Sequence, residues 1–200
     1  GRRVWEPSMQ DWEWTFGVNF WGVVHGIRTF IPIMLAQDDE GHIVNTASQA
    51  GLLSGPTADI YGATKHAVVR ITEALYLQLL RDESKVSASV LCPGIINTRI
   101  FSSGRNRPTE LWTDATPPPE SELDARTREG DANFAHGLPP AEVAEQVVES
   151  IRNNRFYILT RDVDKDRVLE RARQIAEGIN PKLGGRNAGD PPPASSTPTR

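Results

Sequence analysis

An α/β fold organised around a parallel sheet is what this sequence predicts, and two observations predict it. Segments with apolar residues at helical spacing alternate with short β-forming runs, in the order helix, strand, helix, strand, helix, strand. The strand-like runs are bounded by turn formers, as strands between helices are.

Ser8 and Asp11 form a Ser-x-x-Asp relative of the capping box, which starts a helix expected to reach about residue 35. Gly17, Gly22, Gly26 and Pro32 should weaken or bend it. Gly41 opens a short strand over 42–46. A helix over about 58–81 follows, with Ala67, Val68, Ile71, Ala74, Leu75 and Leu79 at helical spacing. The next strand, 86–92, stops at Pro93-Gly94. Residues 99–138 are polar and proline-rich, with Pro117-Pro118-Pro119 at the middle, and read as a long surface loop with at most one short helix. Loops of that length are usually functional or disordered. Pro139-Pro140 starts a helix over about 141–153, a third strand follows at 155–160, and a charged helix occupies about 163–178. The Gly/Pro/Ser/Thr-rich residues 182–200 read as disordered, so one domain over 1–180 and a tail over 181–200 are expected. Three strands make a poor stand-alone sheet of this kind, and the chain opens on Gly1 rather than Met. A piece of a longer polypeptide is therefore expected.

Composition narrows the partners. The 200 residues are 38% hydrophobic and 24% charged, ordinary for a soluble globular protein. A net charge of −4 and a pI near 5.6 argue against nucleic acid, which needs a basic face. No polybasic run marks a membrane surface, and the apolar stretch 16–27 is broken by Asn19 and His25, so no membrane span is expected. The single cysteine, Cys92, forms no intrachain disulfide, which suits a reducing, cytoplasmic compartment.

The chemistry gathers at Tyr61 and Lys65, four apart on one helix face. A free phenol titrates near 10, too high for a good base at neutral pH, and a neighbouring ammonium should lower that value. Tyr61 could then exchange a proton with an alcohol or carbonyl oxygen. Alone, such a pair is also common on amphipathic helices. Ser48 lies thirteen residues earlier, just past a strand's carboxyl end, where ligands bind in open α/β sheets. Its hydroxyl could hold a substrate oxygen, although a loop serine there also serves as a cap.

Together these residues resemble the short-chain dehydrogenase/reductase family. Tyr61-Gly62-Ala63-Thr64-Lys65-His66-Ala67 is similar to the family's Tyr-Gly-Ala-Ser-Lys-x-Ala segment, with threonine at 64. Val18-Asn19-Phe20-Trp21-Gly22 is similar to its Val-Asn-Leu-x-Gly helix motif, and Pro93-Gly94-Ile95-Ile96-Asn97-Thr98 to its Pro-Gly-x-Val/Ile-x-Thr segment. The resemblance covers about residues 5–160. The family's Thr-Gly-x-x-x-Gly-x-Gly turn, which seats a pyrophosphate at a helix N-terminus, and its Asn-Asn-Ala-Gly strand end are not in the sequence. Ala47 stands where many relatives carry a second serine.

The resemblance implies the C-terminal portion of a Rossmann-like doubly wound parallel sheet, and an enzyme interconverting a secondary alcohol and a ketone with NAD or NADP. It makes Tyr61 the acid/base, Lys65 the residue that lowers its pKa and binds the nicotinamide ribose, and Ser48 the holder of the substrate oxygen. Asn19 would hold, through its backbone, a water in the proton relay. Pro93, Gly94, Ile96 and Thr98 would border the cofactor, with Gly94 permitting close backbone approach. Residues 99–138 fall where the family has its variable substrate lid, and Leu111, Trp112 and Phe134 could line an apolar pocket or simply pack. The residue that separates NAD from NADP is not in the chain, and the 200 residues alone should bind dinucleotide poorly. The two long helices commonly form the family's dimer interface, so a homodimer or homotetramer is expected.

Plainer readings suit the other features. Asp162-x-Asp164-x-Asp166 lacks the glycine and glutamate of a calcium loop and reads as a solvated helix start. His25, His42, His66 and His136 lack metal-ligand spacing, so no metal is expected. Trp12, Trp14 and Trp21 would pack a core or an interface, Gly22-x-x-x-Gly26 is compatible with close helix packing, and Cys92 reads as a small buried hydrophobe. The preferred substrate is a hydrophobic, terpenoid-like alcohol or ketone. A 3-oxoacyl thioester reductase and a non-catalytic dimerisation or interaction module are the alternatives.

Overall fold

The computed structural model describes residues 3–55, 59–112, 116–160, 163 and 165–181. Three parallel strands, β1 (Gly41–Thr46), β2 (Val86–Cys92) and β3 (Tyr157–Leu159), pair in the order β1-β2-β3. The register sets Asn45 beside Val90 and Cys92 beside Leu159. The third strand is shorter than the 155–160 expected.

Alternation along β2 sorts the sheet's two faces. Val86, Ala88, Val90 and Cys92 pack with Val68, Val69, Leu75 and Leu79 of α3 (Asp59–Arg81), and partly buried Val23, Ile27, Ile31 and Met34 of α2 (Gly22–Gln37) add to those clusters. Leu91 and Ile158 face the other way, onto Val143 and Val147 of α5 (Pro140–Arg152). Helices therefore cover both faces, the Rossmann-like arrangement expected. A polar rivet fixes α3 on its face: buried Asn45 donates to the Thr72 hydroxyl at 3.0 Å, which in turn donates to the Val68 carbonyl at 2.7 Å. No polar atom in that chain is stranded, so its burial carries little penalty.

The first helix begins as expected, with Ser8 and Asp11 forming a reciprocal capping box ahead of α1 (Met9–Phe16). It then passes through a π-turn, Gly17–Trp21, and continues as α2. Gly17 and Gly22 flank the inserted residue, where weak helix propensity makes irregular winding cheap. Asp38, in the left-handed conformation at φ 50°, closes α2. The continuous run Met9–Gln37 is 29 residues with a window of mean hydropathy 1.2, so by length and composition it could cross a membrane. Asn19 and His25 thus do not break the apolar run, but a core helix of a soluble protein passes the same test, and Val23, Ile27, Ile31 and Met34 of this one pack on the sheet. Gly22 and Gly26 do not mediate close packing here, since a methyl built on either meets nothing within 4 Å.

Residues 99–138 contain more helix than expected. Ile100–Asn106 and Thr109–Leu111 form 3-10 turns, and α4 spans Glu120–Phe134. Its sequence is rich in helix-forming Glu, Ala and Arg but has no apolar period, so the pattern that finds helices is silent. What holds it is a contact across the segment: Phe101 and Phe134 meet edge to face at 4.8 Å, and Gly130 leaves room for Phe101. The segment's ends are joined, because Asn97 N–H donates to the Leu138 carbonyl at 3.0 Å and Leu138 N–H to the Ile95 carbonyl at 2.9 Å.

Two units divide after Val163. The second contains α6 (Lys165–Glu177), laced by Arg173 ion pairs to Glu170 at 2.9 Å and Glu177 at 2.5 Å. The tail 182–200 and two of the three spaced aspartates, Asp162 and Asp164, lie outside the described residues.

Ile158 is 2% exposed at the centre of the α5-side cluster. Ile158→Ala should lower unfolding free energy by about 2–5 kcal/mol, read as a reduced urea midpoint at constant slope.

Candidate active site

The site forms at the carboxyl end of β1. Past Thr46 the chain stays tied to β2, with Ala47 N–H donating to the Leu91 carbonyl at 2.7 Å and Gln49 N–H to the Pro93 carbonyl at 2.8 Å. Ser48 is thereby held between them, 8% exposed, as the N-cap of a 3-10 turn over Gln49–Gly51. Its hydroxyl oxygen accepts from Ala50 N–H at 3.1 Å, which leaves its own O–H to reach the Tyr61 oxygen. The cap and the side-chain contact are therefore compatible uses of one hydroxyl.

α3 supplies the other groups. Ile60, Thr64, Val68, Thr72, Leu75 and Leu79 form its buried stripe, and Tyr61 and Lys65 sit one position along, at the stripe's edge. That places both toward the Ser48 turn. Gly51 makes the approach possible, because a methyl there would lie 2.6 Å from the Lys65 carbonyl oxygen and 2.9 Å from its carbon. The Lys65 ammonium donates to the Thr46 carbonyl at 3.0 Å and lies 5.5 Å from the centre of the Tyr61 ring.

Electrostatics differ from the expectation in one respect. Burial pushes the Tyr61 phenol above its ordinary value, and the hydrogen bond from Ser48 only partly opposes this. The expected lowering by Lys65 does not oppose it, because the ammonium is turned onto the Thr46 carbonyl and lies over the ring rather than at the phenol oxygen. Burial also lowers the Lys65 pKa, with the nearby Cys92 sulfur opposing. The Cys92 thiol, itself fully buried, is pushed by burial to about 12, although the Ser48 backbone N–H and Lys65 act against that shift. It is neutral at physiological pH, as a packing thiol should be.

Asn19 sits in the π-turn and joins the site through α3: its amide donates to the Thr64 hydroxyl at 3.2 Å, which donates to the Tyr61 carbonyl at 2.8 Å. The structure thus brings Asn19, Ser48, Tyr61 and Lys65 together. Pro93 and Gly94 border them, and Gly94 N–H donates to the Thr160 hydroxyl at 2.9 Å. Ile96, half-buried, packs against the α5-side cluster, while Thr98 is exposed. Leu111, Trp112 and Phe134 each have a packing partner: Arg107 donates to the Leu111 carbonyl and covers the Trp112 ring, and Phe134 meets Phe101.

Sequence reasoning missed Thr46, Thr64, Thr160 and Gly51. The first three act through a carbonyl or hydroxyl that has no periodicity to announce it. Gly51 followed Ser48 in the motif and could have been singled out as a close-approach glycine.

Parallel strands covered on both faces, with serine, tyrosine and lysine at a strand's carboxyl end, define a Rossmann-like fold with a candidate proton-transfer site. The short chain dehydrogenase family model matches residues 2–108, and the chain belongs to that family. A short-chain dehydrogenase/reductase from Burkholderia phymatum, solved in complex with NAD, superposes with a TM-score of 0.81 at 44% identity, over 90% of this chain and 64% of that one. The chain is 32% identical over 174 residues to the CLA biosynthesis dehydrogenase/reductase of Lactiplantibacillus plantarum, covering 86% of this chain and 61% of that protein. It is 29% identical over 176 residues to the C alpha-dehydrogenase of Sphingobium sp., covering 88% and 56% respectively. The chain therefore spans about three fifths of the length of these curated relatives.

Gly51→Ala should force α3 away from the Ser48 turn at Lys65. The expected cost is about 1–3 kcal/mol in urea unfolding, with a shifted Lys65 backbone amide in the NMR spectrum.

Proposed function

We propose that the protein containing this chain is an NAD(P)-dependent oxidoreductase that interconverts a secondary alcohol and a ketone. The observation that carries the reading is the gathering of three side chains at the carboxyl end of β1: Ser48 hydrogen-bonded to Tyr61, and the Lys65 ammonium 5.5 Å from the Tyr61 ring centre while bonded to the Thr46 carbonyl. Its fit to a nicotinamide dinucleotide rests on the Lys65 ammonium: it has three N–H donors, and among the described residues the Thr46 carbonyl is its one hydrogen-bond acceptor. The remaining donors suit ribose hydroxyls. A bound nicotinamide supplies or accepts the hydride.

The chain's own residues manage the proton and the orientation. Ser48 hydrogen-bonds the substrate oxygen and holds it against Tyr61. In reduction, hydride adds to the carbonyl carbon while the Tyr61 O–H gives its proton to the carbonyl oxygen, and an alcohol results. In oxidation the alcohol proton passes to the Tyr61 phenolate as hydride leaves the same carbon. A phenol held above its ordinary pKa is protonated at neutral pH, the form that reduction needs. The π-turn at Asn19 disturbs regular helix hydrogen bonding, so a backbone carbonyl there is suited to hold a water that returns protons toward Lys65.

A hydrophobic ketone is the proposed substrate, since Ile95, next to Gly94, and Ile100 and Phe101 at the start of the following segment are each more than 40% exposed. Pairing of copies through α2 and α3 is supported by exposed Phe30 and Ile33 on one helix and Leu77 and Leu80 on the other. A non-catalytic interaction module is the second reading, favoured by the exposed apolar residues of α2 and α3.

Ketone-dependent oxidation of NADH and NADPH separates the two readings. Tyr61→Phe should lower kcat by about 10²–10⁴-fold with unchanged folding. An undiminished rate would remove Tyr61 from the mechanism. Reduction should hold its rate through about pH 6–8 and decline as the phenol ionises, whereas oxidation should climb over the same range.

A further inference from the structure

Residues 99–112 leave the site's rim directly after Thr98 and carry an arginine that the proton chemistry does not use. Arg107 reaches back to α1, where its guanidinium meets the Asp11 carboxylate at 2.6 Å, with the two side chains only 7% and 18% exposed. The guanidinium lies 5.0 Å from the Trp14 ring centre and 4.6 Å from the Trp112 ring centre, between an indole of α1 and an indole of its own segment. Two further N–H groups, on Nε and Nη2, donate to the Leu111 carbonyl, the first at 3.0 Å. Asp11 is prepared for this role, because its other oxygen accepts from Ser8 N–H at 3.0 Å in the capping box. Burial works to raise the Asp11 carboxyl, yet Arg107 and the Ser8 backbone hold it below the ordinary carboxylate value.

The connectivity gives this cluster its meaning. The segment follows residues 95–97, which past the carboxyl end of β2 are tied by backbone hydrogen bonds to Leu138. Its middle is fixed by Arg107 to α1, the helix that runs into the π-turn and Asn19, and Asn19 is bonded to Thr64 next to Lys65. The segment therefore reaches from the Pro93 side of the site to the Asn19 side. We propose that Arg107 is a positioning residue that clasps residues 99–112 across the Ser48–Tyr61 opening, so that the exposed faces of Ile100 and Phe101 meet an apolar substrate. Because the guanidinium is spent on Asp11, Leu111 and two indoles, it does not serve as an anchor for a substrate carboxylate or phosphate. The substrate consequence rests on the ketone-reductase reading above; the clasp itself does not.

Hydrogen–deuterium exchange on the full chain tests the clasp, and steady-state reduction of 2-octanone tests its consequence. In Arg107→Met, amides within 99–112 should exchange about tenfold faster, while those of 86–92 stay as in the wild type. Arg107→Lys retains the charge but loses the planar fork and stacking, and should recover only part of the protection. Trp112→Leu removes one face of the sandwich and gives the same local pattern should Arg107→Met not fold. In the assay, the 2-octanone KM should rise about tenfold in Arg107→Met, with kcat and the dinucleotide KM within about twofold of the wild type. Unchanged exchange over 99–112, or loosening equally spread over 86–92, overturns the clasp whether or not turnover is seen. Local loosening with an unaltered 2-octanone KM overturns its role in substrate positioning. In the protein containing this chain, a wild type without turnover, or Tyr61→Phe as active as the wild type, counts against the reductase reading alone.

Discussion

An ammonium placed at the carboxyl end of a sheet strand is expensive unless something polar receives it, and the bond from Lys65 to the Thr46 carbonyl is how this protein meets that cost. The rest of the site depends on it. The bond draws α3 against the end of β1, one turn of α3 brings Tyr61 alongside, and Tyr61 then meets the Ser48 hydroxyl. The same dry surroundings explain why the phenol and the Cys92 thiol move up while the lysine moves down: each is displaced toward its neutral form. A neutral Tyr61 and a poorly solvated Lys65 suit the proton donor and the ribose-binding group of the proposed reaction.

The arrangement is stiff because backbone, not side chains, sets most of it. Ladder-like bonds beyond β1 fix Ser48 against Pro93, and close contact at Gly51 fixes the distance between that turn and α3. From the opposite side, Asn19 and Thr64 lock the π-turn to the carbonyl of Tyr61 itself. A shift of either helix would therefore displace Tyr61 from Ser48, so the geometry on which the proposed proton transfer depends is held tightly.

Much of this was legible in the sequence wherever the responsible interaction is local. Ser8 and Asp11 announced their capping box, and turn formers bounded β2 at its observed ends. Tyr61 and Lys65 declared a shared face through spacing alone. The illegible parts are those fixed over distance. Arg107 and Asp11 are separated by 96 residues, so no pattern pairs them. α4 has no apolar stripe to reveal it, since its visible anchor is the ring of Phe101 against Phe134 and Gly130. The direction of the Tyr61 shift was misjudged for a related reason. Charge can be counted from residues, but desolvation depends on what the fold piles around them.

Titration of Tyr61, followed through its ring-carbon resonance in tyrosine-labelled protein and assigned with Tyr61→Phe, tests the central claim most directly. The account predicts a midpoint above the ordinary phenol value of about 10, moving higher still in Ser48→Ala as the opposing hydrogen bond is lost. A midpoint at or below 10, indifferent to the loss of Ser48, would contradict the buried and hydrogen-bonded phenol on which the account stands.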